Sequence, residues 1–93
     1  MATESQLESY TLIGSKLGDR QLAVFHTIRK QRGGMTLFEI SEAMQIPINQ
    51  VSGRVTELQR RGYVQNSGVT RLNPKTGKKG TVWTITHRYN TWP

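Results

Sequence analysis

Residues 49–54 gather four residues suited to contact with the edges of bases, the side chains of Asn49, Gln50 and Arg54 and the bare backbone of Gly53. A carboxamide sets a donor beside an acceptor, which matches adenine in a major groove, and a guanidinium matches guanine or a phosphate. Gly53 costs about 1 kcal/mol relative to alanine inside a helix, so its presence wants a reason. The candidates are close approach to a nucleic acid or partner, a tight helix–helix crossing, or a neutral surface position. A second group is cationic. Lys75, Lys78 and Lys79 lie in the run Asn73-Pro74-Lys75-Thr76-Gly77-Lys78-Lys79-Gly80, which holds no apolar residue, and Arg71 stands on its approach. Such a loop can straddle a phosphate strand or enter a minor groove, although lysines also keep a plain hairpin tip soluble.

Catalytic chemistry finds little support. The only histidines are His26, set among helix core positions, and His87 near the end of the chain. There is no H-E-x-x-H, P-loop or paired-glycine nucleotide fingerprint. With no cysteine, disulfides and thiolate metal ligands are excluded. The carboxylates are explained by helix caps and helix surfaces. The expectation is a non-enzyme with no catalytic residue, no metal and no cofactor.

Charge points the same way as the side-chain chemistry. The net charge is +7, yet residues 1–53 carry five basic and five acidic residues, while residues 54–93 carry eight basic residues against Glu57 alone. The whole excess lies in the second half, which suits a polyanionic partner. Anionic lipid fits less well, because the basic residues do not lie along one amphipathic helix.

These side chains need elements to hold them. Asp19 reads as the N-cap of a helix with Leu22, Phe25 and Ile28 inward and Val24 on the flank, closed by Arg29, Lys30 and Arg32 and stopped at Gly33-Gly34. Thr36 and Glu39 form a capping box for a short helix whose inward face is Leu37, Ile40, Ala43 and Met44. After Gln45-Ile46, Pro47 opens a third helix, about 47–61, with Val51, Val55 and Leu58 inward and Asn49, Gln50, Gly53, Arg54 and Glu57 outward. Tyr63–Asn66 and Val69–Leu72, with a bend or bulge at Gly68, pair with the alternating Thr81–Thr86 as a hairpin around the loop 73–80.

The expected organisation is an N-terminal extension over 1–18, a folded domain over 19–86 and a tail over 87–93. Thr3 suits the cap of a short helix with Leu7, Tyr10 and Leu12 or Ile13 inward, and Tyr89 and Trp92 suit packing of the tail on the domain. The polar start is not a signal peptide and no apolar run spans a membrane, so a cytoplasmic protein is expected.

Three stretches carry a family resemblance. Lys16-Leu17-Gly18-Asp19-Arg20-Gln21, Pro47–Val55 and Asn73–Trp83 resemble the opening, the third helix and the wing of small bacterial and phage winged helix-turn-helix proteins. The resemblance runs from about Glu4 to Trp83. It implies DNA contacts at Asn49, Gln50, Arg54 and the wing lysines, and a phage or mobile-element source with a host-cytoplasmic location.

The sequence therefore implies an α+β winged helix-turn-helix, a three-helix core followed by a β-hairpin wing. The expected function is duplex DNA binding by a transcription regulator or replication accessory, with helix 47–61 in the major groove and wing 73–80 on the backbone or minor groove. The expected contacts are Asn49, Gln50, Gly53, Arg54, Arg71, Lys75, Lys78 and Lys79. The alternative is a phage protein-interaction module that binds and modulates or inhibits a host enzyme complex. A monomer or weak homodimer is expected.

Overall fold

The computed structural model describes residues 17–86; the expected N-terminal helix and the tail with Tyr89 and Trp92 lie outside them. The order is α1 (Asp19–Arg29), α2 (Leu37–Met44), α3 (Ile48–Arg60), β1 (Val64–Leu72) and β2 (Lys79–Ile85).

Helix α1 starts one residue earlier than its acidic cap suggested. Gly18 is the N-cap, with extended backbone, and Asp19 is the first helical residue, where its charge complements the helix dipole. The Gly18 N–H donates to Gln21 Oε1 at 3.1 Å. Val24, expected on the flank, is fully buried with Phe25 and Ile28, because α1 packs against α2, α3 and β2 together; Leu22 is only half-buried.

The helix also stops before its two glycines, with Lys30 as C-cap. Gly34 serves the next connection instead. Its φ is +79°, and a Cβ there would lie 2.6 Å from the Trp83 carbonyl oxygen and 2.7 Å from side-chain atoms of Val82 and Thr84. Only glycine permits the chain to pass this close to β2. The approach lets Met35 exchange two backbone hydrogen bonds with Trp83, at 2.9 and 2.8 Å.

Helix α2 begins with the anticipated capping box. Thr36 Oγ1 accepts from the Glu39 N–H at 3.2 Å, and Glu39 Oε1 accepts from the Thr36 N–H at 2.9 Å. Ile40 is fully buried and Leu37 and Met44 are half-buried, but Ala43 is exposed. At 100° per residue, Leu37 and Met44 lie to one side of Ile40, and Ala43 lies about 60° round on the other. Gln45 takes a left-handed conformation, and Ser41 Oγ donates to the Ile46 carbonyl at 2.6 Å, which tightens the turn into α3.

Helix α3 buries Val51, Val55 and Leu58 at one-turn spacing, as its pattern requires. Gly62, at φ +81°, ends it in a Schellman motif: the Tyr63 N–H reaches the Leu58 carbonyl at 2.9 Å and the Gly62 N–H reaches the Gln59 carbonyl at 3.0 Å. Tyr63 then meets Phe25 edge to face, with ring centroids 5.8 Å apart.

Strands β1 and β2 pair antiparallel from Val64 opposite Ile85 to Leu72 opposite Lys79. Between Asn66 and Thr70 the register shifts, so that Ser67, Gly68 and Val69 bulge opposite Val82. The two expected short strands on either side of Gly68 thus form one strand with a bulge. The result is a three-helix core with a hairpin wing, the winged helix-turn-helix architecture.

Candidate nucleic-acid interface

The outward face of α3 forms a cleft of about 410 Å³ lined by Arg20, Asn49, Gln50, Gly53 and Arg54. All four expected α3 residues therefore meet at one site. Their shared face follows from the buried stripe: once Val51, Val55 and Leu58 turn inward, positions 49, 50, 53 and 54 turn out. A Cβ added at Gly53 would meet nothing within 4 Å. A tight helix–helix crossing is thus excluded as the reason for this glycine, and the space in front of it is open.

Arg20, from the first turn of α1, completes the cleft, and its local sequence gave no hint of this. Its Nη1 donates to Gln50 Oε1 at 3.0 Å, across 30 positions of sequence. Next to it, Gln21 Nε2 donates to Glu57 Oε1 at 2.9 Å. Glu57 in turn pairs with Arg54, which places Nε 2.8 Å from Oε1 and donates from Nη2 to Oε2 at 3.2 Å. The first turn of α1 therefore braces two expected readers, Gln50 directly and Arg54 through Glu57.

The wing is shorter than its composition suggested. Its loop spans residues 73–78, since Lys79 and Gly80 already belong to β2. The loop is closed by an Asn73 N–H to Lys78 carbonyl bond of 2.8 Å, and Asn73 Oδ1 accepts from the Lys75 N–H at 2.9 Å. Arg71, Lys78 and Lys79 line a second cleft of about 360 Å³, whose floor includes Leu37, Phe38, Ile48 and Trp83. Arg71, Lys78 and Lys79 thus line a different cleft from the α3 residues, and Lys75 lines neither.

The wing cations differ in what holds them. Arg71 Nη1 lies 2.6 Å from Glu39 Oε1, and its Nη2 donates to the Gly33 carbonyl at 3.3 Å. Burial pushes the Glu39 carboxyl up, but hydrogen bonds from Arg71 and from the Thr36 backbone outweigh it and hold the group below its usual range. Lys75 folds back onto α2, with Nζ 2.6 Å from Glu42 Oε1 and 5.6 Å from the centre of the Phe38 ring. Lys78 and Lys79 are exposed and have no ion-pair partner among the described residues. Glu39, Glu42 and Glu57 are therefore more than caps and surface charges: each holds one cation of the candidate site.

No helix among the described residues is long and apolar enough to cross a membrane. No group of His, Asp and Glu side chains among them is arranged to hold a metal ion.

Solved structures share this architecture. A MarR-family transcriptional regulator from Rhodococcus sp. RHA1 superposes with a TM-score of 0.62 at 22% identity, over 91% of this chain and 55% of that one. Ligand-free MarR from E. coli gives 0.62 at 19% identity, over 92% and 58%. MepR from S. aureus, solved in complex with DNA, gives 0.59 at 16% identity, over 94% and 63%. At these identities the likeness is one of fold, the winged-helix fold of DNA-binding transcriptional regulators. The chain spans 55–63% of the length of these three regulators. Among curated proteins, none matches the chain significantly. The IclR helix-turn-helix domain model matches residues 19–68. That match covers more than half of the chain and takes in all three helices and the start of β1, including every α3 residue of the cleft and Arg20. The chain belongs to the IclR helix-turn-helix domain family.

Proposed function

We propose that the protein binds duplex DNA sequence-specifically as a transcription regulator, with α3 in the major groove and the wing on the adjacent backbone or minor groove. The observation that carries this reading is the α3 cleft. Its lining is wholly polar or basic apart from one glycine, and that glycine opens a path to the helix backbone. Asn49, Gln50 and Arg54 supply base-edge chemistry there. Lys78 and Lys79 act as the first phosphate contacts, Lys75 joins them by leaving Glu42, and Arg71 braces the wing against α2. MepR, which shares the fold, was captured on DNA.

Fluorescence anisotropy with labelled duplexes tests this. About four to six phosphate contacts give a slope of log affinity against log salt of roughly −4 to −5. Selection of bound duplexes from a random pool then yields a motif. A flat salt response, or a pool that yields no motif, overturns the proposal.

A further inference from the structure

The contact between Arg20 and Gln50 fixes more than a side-chain position. A guanidinium carries only donors, so the Gln50 amide must turn its oxygen toward Arg20 and its NH₂ group away. Arg20 lines the same cleft as Gln50, so this hydrogen bond belongs to the surface that would face a base. The neighbouring Gln21, through Glu57, steadies the same end of α1 against α3.

This arrangement bears on base readout. A glutamine that reads adenine in the major groove must accept from N6 while donating to N7. With its oxygen engaged by Arg20, Gln50 presents its NH₂ donors. Guanine is the base whose major-groove edge offers two acceptors, N7 and O6, and no donor. We infer that Arg20 is a positioning residue for specificity, turning the Gln50 amide so that the base it meets is guanine rather than adenine. The inference rests on the proposed placement of α3 in the major groove, and it revises the adenine preference that the Gln50 side chain alone suggests.

The test is selection from a random duplex pool by the wild-type chain, Arg20→Ala, Arg20→Lys and Gln50→Ala, each first checked by thermal melting. The wild type is expected to select guanine at one position where Gln50→Ala shows no preference. Arg20→Ala frees the amide and moves that position toward adenine by about tenfold in relative affinity, with the rest of the motif unchanged. Arg20→Lys, which still donates to the amide oxygen, keeps guanine. In a Gln50→Ala background, Arg20→Ala changes nothing at that position. If Arg20→Ala instead weakens all sequences alike, Arg20 is a phosphate contact and the inference is wrong while DNA binding stands. Adenine selected by the wild type at the Gln50-dependent position refutes it equally. A wild type that yields no motif refutes both this inference and the function it rests on.

Discussion

Gly53→Ala separates stability from recognition at a single atom. A Cβ at this position has no heavy atom within 4 Å, so the methyl group enters open space and the fold need not adjust. Helix propensity then acts alone and favours alanine by about 1 kcal/mol. For a domain of this size that raises the melting temperature by about 4–8 °C. The same methyl group projects into the cleft between Asn49, Gln50 and Arg54. If a base edge approaches the α3 backbone there, the methyl group forces the helix outward and costs the equivalent of one bidentate base contact, about 1–3 kcal/mol. Affinity for the selected duplex then falls about 5- to 150-fold, and affinity for random duplex changes far less. Differential scanning calorimetry and anisotropy titration of one protein preparation measure both. A higher melting temperature with unchanged specific affinity would show that Gly53 is a neutral surface glycine, and the close-approach argument would fail. A lower melting temperature would refute the packing argument itself.

Three further outcomes follow from the same geometry. Gly34→Ala must place a methyl group 2.6 Å from a backbone oxygen at positive φ, so it is expected to cost more than about 2 kcal/mol in chemical denaturation. Glu42→Gln releases Lys75 from an exposed ion pair worth about 0.2–1 kcal/mol, so DNA affinity should rise by up to about fivefold at low salt, an effect that disappears if Lys75 is also replaced. Acid should weaken the fold in two ranges. His26 is held below its ordinary value by burial first and then by Arg29 and Lys30, so its neutral form is the folded one, and its contribution is present above about pH 6.5 and lost as the pH falls through the lower folded value. Glu39 is also depressed, so its contribution is present above about pH 4.3 and lost as the pH falls further. Denaturation midpoints of His26→Gln and Glu39→Gln should each lack the corresponding range, and an unaltered acid profile in either variant would contradict the assignment.

What was legible in the sequence was local. Thr36 and Glu39 cap α2 across three residues, Val51, Val55 and Leu58 repeat within two turns, and Gly62 ends α3 next to the residues it serves. Each of these interactions closes within a few residues, so spacing alone reveals it. What was missed depends on contacts that spacing does not encode. Gly34 reads as a helix stop, but its role is set by β2, nearly fifty residues on. Ala43 fits the apolar composition of α2 yet falls off the stripe once Ile40 fixes the rotation of the helix. Arg20 joins the cleft only because α1 crosses α3.

The same distinction governs how the proposed site would act on a polyanion. Read from sequence, Arg54, Arg71 and Lys75 are free positive charges. In the folded protein each is paired, with Glu57, Glu39 and Glu42 respectively. Those pairs are partly exposed and individually weak, so a phosphate, or for Arg54 a base edge, can replace a carboxylate at modest cost. For Lys75 and Arg54, binding is then an exchange of partners, and the gain per cation is smaller than for Lys78 and Lys79, which give up no carboxylate among the described residues. Arg71 differs again, because it also donates to the Gly33 carbonyl and ties the wing to the start of α2. Moving it to a phosphate would loosen the wing that positions the lysines. The charge asymmetry of the chain therefore overstates the attraction of the proposed site as a sum, and leaves out that acidic residues of α2 and α3 already hold three of its cations in place.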